Sequence, residues 1–470
     1  MPHPYPSTTL SNPWWALVVL LAGTLLPPLD FFVVNTALPF IQQDLHASDT
    51  ATQLVVSAYA ATYAVFLITG GRLGDLYGRR RVFLAAMAGF SLSSLICGLA
   101  SSASMLVFGR ILQGAAAAVM APQALASIHA LFPDTHKQRA LGLYGVTFGM
   151  AAVVGQVMGG WLIDIDLFGL GWRNLFLVNI PVLLVAMPAA LMLVPENRAE
   201  HPQRLDPIGI LLLAAALICL IVPLVEGRHL DWPLWSLVML LGSLPLFLLF
   251  WHHEHRLFAQ GRDPLVIPAV FDAPGMIRGL LATVFFYAIA PFFLLFAIHQ
   301  HAYAQLPPLQ AGLSVLPLGV GFLIGPLFSG WCISATYQRY VAPVAIVIEA
   351  LGVWGTGLVA ANDHAFWLPI TLFLIGAGEG MALPPLVRHV VQRVDRRWAG
   401  LAAGLVNSVL QCSSALFVAI EGGLFFSLVG HSFSPARVAQ AFTITCIVIG
   451  ALLLLSALLA YPRQADTLIK

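Results

Sequence analysis

Five ionisable side chains stand inside long apolar runs, where charge is expensive to hold. Asp30 follows Pro27 and Pro28, Arg110 opens the run Arg110-Ile-Leu-Gln-Gly-Ala-Ala-Ala-Ala118, Glu379 sits in Gly376-Ala-Gly-Glu-Gly380, Glu421 precedes Gly422 and Gly423, and Glu349 occupies a run of its own. A charged side chain at the centre of a bilayer costs about 2.5–3.5 kcal/mol on insertion scales, so such residues mark proton relays, ion paths or substrate contacts. The two prolines lack backbone N–H groups, so a helix must kink or open beside Asp30 and leave carbonyls free. That combination suits a proton or a cation; an Asp capping the helix after a proline break is the plainer alternative. Gln113 lies one turn from Arg110 on the same face, and the alanines beyond let a neighbouring helix approach closely. A fixed cation there changes the proton affinity of a nearby carboxylate as the two separate; the competing reading is an arginine snorkelling to the interface. Glu379 is placed for reversible protonation on a glycine-loosened helix, or else is a structural Glu bonded to a neighbour. Glu421 reads equally as a second carrier or as a packing contact.

Other chemistry is excluded on the same residue-by-residue basis. Trp251-His-His-Glu-His255 has no second ligand group at metal-site spacing and reads as the polar end of a helix at the membrane surface. The chain has no HExxH, GxSxG or phosphate-cradling glycine loop, so neither an enzyme nor a bound metal or cofactor is expected. The five cysteines, 97, 219, 332, 412 and 446, all fall in apolar segments and serve as small packing residues. A net charge of +1 gives no basic stripe for nucleic acid. Phe285, Phe286, Tyr287, Phe292 and Phe293 crowd one run; they either line a cavity for a flat lipophilic or cationic ligand or form a packing stripe.

The elements that hold these residues are membrane helices. Hydrophobic residues make up 59% of the 470, charged residues 9%, and mean hydropathy is +0.87, whereas a soluble domain carries roughly 25% charged residues. A bilayer-crossing helix needs about 20 mostly apolar residues. Fourteen such segments occur, near 14–38, 51–71, 82–100, 104–131, 140–163, 174–194, 207–225, 234–251, 279–299, 310–333, 341–361, 366–387, 399–428 and 438–461. The first lacks a basic region before it and is read as a span, not a cleavable signal. With cytoplasmic termini, 18 of the 22 Lys and Arg residues face the cytoplasm, Arg173, Arg228 and Arg437 lie outside, and Arg110 is within a span. So lopsided a split supports both the span count and that orientation. The stretch Gly71-Arg-Leu-Gly-Asp-Leu-Tyr-Gly-Arg-Arg-Arg81 between the second and third spans reads as a tight cytoplasmic loop. Its glycines 71, 74 and 78 permit a sharp reversal, Arg79, Arg80 and Arg81 hold it inside, and Asp75 is placed to latch.

That loop, of pattern G-x-L-x-D-x-x-G-R-R, resembles the loop between helices 2 and 3 of the major facilitator superfamily. Leu29-Asp-Phe-Phe-Val-Val-Asn-Thr-Ala-Leu-Pro39 resembles the first-helix motif of the fourteen-span drug:proton antiporters in that superfamily. Arg110–Gln113–Gly114, the glycines from Gly142 to Gly160, and Trp172-Arg-Asn-Leu-Phe-Leu-Val-Asn-Ile-Pro181 resemble further motifs of the same group. Weaker echoes are Glu226-Gly227, Glu254 with Pro264-Leu265, and Gln310-Ala-Gly-Leu-Ser-Val-Leu-Pro317. Within the fifth span, Gly142, Gly155, Gly159 and Gly160 form the helix-packing motif, but Gln156 stands where the motif usually has proline, and export is associated with that motif. The resemblance implies an all-α major facilitator fold: an N-terminal six-helix bundle over 1–195, a linker and additional helix pair over 196–273, and a C-terminal six-helix bundle over 274–470. In that layout the helix that carries Glu349 lies at the periphery, which favours a structural role for this residue. The second half repeats the first only weakly, since Ser334 in Gly330–Arg339 stands where Asp75 does.

The same resemblance implies secondary active transport by alternating access in the cytoplasmic (plasma) membrane, driven by a proton gradient with no other cofactor, by a monomer whose partners are lipid, protons and a small-molecule substrate. Asp30, Arg110, Gln113, Glu379 and Glu421 would couple protons to substrate, and Gly71, Asp75, Gly78, Arg79 and Arg80 would form the gate, with Asp75 reaching cytoplasmic-end groups of the other half when the site faces outward. Efflux of lipophilic, cationic compounds is the first expectation; transport of a specific metabolite, such as a siderophore or amphiphilic acid, is the alternative.

Overall fold

The computed structural model describes residues 12–198, 205–227, 230, 232–331, 337–361, 365–394, 399–430 and 434–462. The basic segment echoed at 330–339 lies largely outside the described residues, as do Cys332, Arg204, Arg228, Arg396, Arg397, Arg463 and Lys470. Fourteen helical spans follow one another: α1 (Pro13–Asp44), α2 (Asp49–Tyr77), α3 (Arg79–Gly98), α4 (Ala103–Leu131), α5 (Asp134–Ile165), α6 (Gly171–Leu193), α7 (Pro207–Glu226), α8 (Leu234–Ala259), α9 (Met276–Ala302), α10 (Leu309–Pro326), α11 (Val341–Ala361), α12 (Leu368–Val391), α13 (Ala399–Val429) and α14 (Pro435–Ala460). Among the described residues, thirteen are long and apolar enough to cross a bilayer, and α2 makes a fourteenth with a 48° bend between Leu67 and Thr69. No strand occurs among them.

Local sequence sets where these helices start. Asn12, Ser48, Ser102 and Ser434 accept the backbone N–H groups of Trp14, Ala51, Met105 and Arg437, satisfying donors that a helix start leaves open. Proline occupies the first turn of α1, α7, α12 and α14, where its missing N–H is no loss. Outward faces stay apolar: Val185, Met192, Leu211 and Leu241 are 74%, 81%, 70% and 75% exposed, an arrangement that only lipid satisfies.

The buried apolar residues of α1–α6 form two clusters, one around Leu20, Phe83, Phe90 and Met120, the other around Val33, Ile41, Val55 and Phe176 and joined by Leu294 of α9. Those of α9–α14 form a separate core around Phe286, Phe292, Phe425 and Phe442. The additional pair α7–α8 packs against α2 and α13, with Leu217 and Ile221 clustered on Val65 and Ala419. The two bundles meet through α1 and α9, α5 and α10, and α2 and α13.

Candidate functional site

Asp30, Arg110 and Gln113 converge inside the first bundle. Helix α1 runs on through Pro27 and Pro28, and the Tyr59 hydroxyl donates to the Pro27 carbonyl at 3.0 Å. Asp30 therefore lies within a continuous helix and is not a cap. One carboxylate oxygen pairs with the Arg110 guanidinium; the other accepts the Gln113 amide at 3.0 Å and the Asn179 amide at 2.8 Å. Arg110 also donates to the Val55 carbonyl at 2.8 Å and to Gln113 Oε1 at 2.7 Å, and lies 4.1 Å over the Tyr59 ring. Ser94 Oγ accepts from Gln113 at 2.9 Å and from Asn179 at 3.3 Å. Close approach of α4 to α2 depends on Gly114, where a methyl group would stand 2.5 Å from the Tyr59 carbonyl. Arg110 is 0% and Asp30 1% exposed, so the arginine is an ion-pair partner sealed in the bundle and does not snorkel. Burying such a pair brings little net stability, because desolvation offsets the attraction.

Asn179 and Ser94 complete this site although neither was singled out in the sequence as a site residue. Asn179 falls in the Trp172–Pro181 segment that enters α6, and Ser94 in the middle of α3. Small neutral polar residues are common in membrane helices, so neither stands out by hydropathy.

The acids of the second bundle are arranged differently from the sequence-based expectation. Glu349 is 0% exposed, and its Cβ lies where a methyl group on Gly378 would meet it at 2.6 Å. It faces α12 inside the bundle and is not peripheral. Glu379, the next residue after Gly378, is half-buried on α12. Glu421 is 1% exposed on α13 and neighbours Cys446 of α14, away from that pair. Of the aromatic run, Phe286 and Phe292 are core residues, Phe285 packs on Phe417, and Phe293 meets Phe32 of α1 edge-on at 4.9 Å. On α2, Tyr59, which lies under Arg110, has its ring 6.1 Å from that of Tyr63.

The basic segment is mostly helix. Helix α2 continues to Tyr77, and only Gly78, at φ 101°, makes the turn. Gly71 and Gly74 are helical, and a side chain on Gly74 would overlap Gln123 Oε1, whose amide donates to the Gly70 carbonyl at 2.6 Å. Asp75 pairs with Arg79 at 3.2 Å within the segment. Glu196 accepts the Arg80 backbone N–H at 3.1 Å and attracts the Arg80 and Arg81 side chains at 3.9 and 3.6 Å. A methyl group on Gly78 would lie 2.5 Å from Glu196 Oε1, so that glycine is required both by its backbone and by its neighbour.

Arg72 fastens the additional helix pair. It is 8% exposed and donates to the Pro264 carbonyl at 2.7 Å and the Leu265 carbonyl at 3.2 Å. Glu254 accepts the Val266 N–H at 2.7 Å, and His253 lies 3.0 Å from Asp206. The His-rich run is thus a structural knot between α7, α8 and the strap to α9. Among the described residues no group of three or more His, Cys, Asp and Glu residues could hold a metal ion.

Along α5, a methyl on Gly155 would meet the Leu29 carbonyl at 2.9 Å, and one on Gly159 would overlap Thr36 Oγ1 of α1. Gly160 is buried, and Gln156, 1% exposed, presents its carbonyl to Gly312 of α10, where a methyl would stand at 2.6 Å. Gly142 and Gly145 face open space instead, so the first part of the glycine series does not pack in this conformation.

Residues 20–419 match the Major Facilitator Superfamily model, and the chain belongs to that superfamily of membrane transporters. It is 34% identical over 439 residues to the probable actinorhodin transporter of Streptomyces coelicolor, covering 91% of this chain and 76% of that one. It is 31% identical over 443 residues to the tetracenomycin C resistance and export protein of Streptomyces glaucescens, covering 93% and 80%. A solved structure of a proton-dependent oligopeptide transporter superposes with a TM-score of 0.67 at 15% identity, over 96% of this chain and 98% of that one. The protein is a multi-pass membrane transporter of small molecules, not an enzyme, with relatives that export antibiotics.

Proposed function

We propose that the protein is a proton-coupled exporter of lipophilic, cationic compounds in the plasma membrane, working by alternating access with both termini in the cytoplasm. The observation that carries this reading is the sealed Asp30–Arg110 pair with its Gln113 and Asn179 donors. A proton on Asp30 removes the charge that Arg110 neutralises, and a buried cation left without its partner forces the surrounding helices to rearrange. The pair therefore converts proton binding into a change of conformation. Exchange of one proton for one monovalent cation moves no net charge and is driven by the pH difference; each further proton adds about 2.3 kcal/mol per 100 mV of membrane potential.

The direction is supported by the relatives, which carry out export or are named as transporters of antibiotics. With cytoplasmic termini, the contacts Phe32–Phe293, Phe40–His301 and Gln156–Gly312 all fall on the outer half. Open space beside Gly142 and Gly145 falls on the inner half. This pattern supports a conformation closed outward, in which a cytoplasmic ligand reaches the tyrosines and Glu379. The acid-rich second bundle favours cationic ligands. The names of the relatives favour a second reading, export of one particular antibiotic-like metabolite.

The test is purified protein in liposomes loaded with the pH dye pyranine. Adding ethidium under an imposed proton gradient should evoke protein-dependent proton movement opposite to the ethidium flux. Ethidium and a panel of other cations and carboxylates that move no protons would overturn the coupling; proton flux with carboxylates alone would overturn the substrate class.

A further inference from the structure

We propose that Asp206 and Glu254 hold one proton between their carboxyls, and that this proton fastens the strap over 260–275 to the additional helix pair. The site lies apart from the Arg110 site and does not rest on proton-coupled transport. It gives a task to Glu254 and Pro264-Leu265, the echo in the sequence that transport through the bundles leaves unused.

Three features place the proton. Asp206 stands at the N-cap of α7, yet its carboxyl makes no capping bond, although a helix start leaves donors open to it. Both its oxygens lie instead 3.0 Å from Nε2 of His253. Second, a methyl carbon on Gly209 would stand 2.2 Å from Asp206 Oδ2 and 2.6 Å from Glu254 Oε1. The two oxygens therefore flank one point and are no farther apart than those two lengths laid end to end. Gly209 leaves the space in which they face each other. Third, Glu254 is 0% exposed; its Oε2 accepts the Val266 N–H at 2.7 Å, while Oε1, the oxygen turned to Asp206, has no donor. Two carboxyls sharing a site in this way are not both ionised. One proton between them supplies the donor that Glu254 Oε1 lacks.

The other charges around the pair do not replace that proton. From α2, Arg72 gives its bonds to the Pro264 and Leu265 carbonyls, beside the Val266 N–H that Glu254 holds, and Asp75 pairs with Arg79. The strap brings Asp263, half-buried, and Arg262 and Asp272, both exposed. On α8, His252, His255 and Arg256 are exposed. The one charged residue of α7, Glu226, lies at its far end. Helix α13 meets α7 at Leu217 and Ile221, about three turns from Asp206, and its one charged residue, Glu421, is two places past Ala419 of that contact. With one shared proton the two acids carry a single negative charge, opposite to that of Arg72. The His253 side chain, 20% exposed, gives the proton a way to water. Loss of the proton sets two negative charges face to face and drives Glu254 from the Val266 N–H. The strap then opens where Leu265 and Val266 pack with Phe250 and Ile210. Because the strap is held by Arg72 of α2 and leads into α9, the proton governs a link between the two bundles.

The experiment is hydrogen–deuterium exchange of the full-length protein in detergent, from mildly acid to mildly alkaline pH. It is read on a strap peptide over 262–272, corrected for intrinsic exchange and referred to a peptide of α3. Wild type should lose protection in the strap, and not in α3, as pH rises. The loss should be about tenfold per pH unit, the slope of one bound proton, over the range where the closed strap holds the proton and the open one does not. In Glu254→Gln the amide takes the proton's place, accepting from Val266 and donating to Asp206, and the strap should stay protected at every pH. A flat wild-type profile overturns the proposal. So does a slope that survives in Glu254→Gln, which would belong to the His253–Asp206 contact alone. Should Glu254→Gln not fold, Asp206→Asn decides: its amide donates to Glu254 in the same way, and a surviving slope overturns the shared proton. The pyranine and ethidium assay keeps the two ideas apart, since wild-type protein that moves no protons refutes the coupling while the exchange result still decides the strap.

Discussion

Removing the charge of Asp30 isolates the contribution of the sealed ion pair. In Asp30→Asn the Arg110 guanidinium keeps its bonds to the Val55 carbonyl and Gln113, at 2.8 and 2.7 Å, but loses its only carboxylate. The new amide must also present a donor where the Gln113 and Asn179 amides already donate. Breaking a buried pair from one side costs about 3–5 kcal/mol, because the remaining charge stays uncompensated. That is a large share of a typical folding stability of about 5–15 kcal/mol, so Asp30→Asn should unfold at clearly lower denaturant in detergent. The double variant Asp30→Asn with Arg110→Gln removes both charges and should regain most of that loss while remaining uncoupled from protons. Equilibrium unfolding of wild type, both single variants and the double variant gives the coupling energy directly. A coupling energy near zero, or an Asp30→Asn protein as stable as wild type, would refute the idea that the two charges hold each other in the bundle.

Other positions give simpler readings. Gly78→Ala forces a side chain onto a φ of 101° beside Glu196 and should cost on the order of 1–3 kcal/mol, visible as a lower melting temperature. Gly155→Ala and Gly159→Ala should disrupt the α5–α1 contact and reduce folded protein in membranes, whereas Gly142→Ala and Gly145→Ala meet open space and should leave the melting temperature unchanged or raised. Arg72→Ala removes two charge-assisted bonds to the strap, each worth about 1.5–3 kcal/mol. Limited proteolysis between residues 260 and 275 should then become faster, with the rest of the chain unaffected.

The layout of spans was legible because hydropathy and the placement of Lys and Arg are properties of single segments. Residues such as Asp30 and Arg110 were visible as anomalies for the same reason. What linear sequence withholds is which helices are neighbours. The Asp30–Arg110–Gln113 site gained Asn179 and Ser94 from α6 and α3, whose amide and hydroxyl are ordinary in membrane helices. The layout implied by the resemblance puts the helix of Glu349 at the periphery but does not say which way the residue faces; that information sits on another helix, in the glycine at 378 that makes room for it. The segment 71–81 was read as a loop from its glycines, yet Gly71 and Gly74 stay helical. A helical glycine costs only about 1 kcal/mol relative to alanine, and here it admits Gln123 against α2. Asp75 likewise found its nearest cation four residues on, at Arg79.

The central claim, that proton binding at Asp30 drives transport, is tested most directly by comparing two modes of ethidium movement in one set of liposomes. Asp30→Asn should lose accumulation driven by a proton gradient while retaining counterflow of labelled against unlabelled ethidium. Gradient-driven accumulation at the wild-type level in that variant would contradict the account.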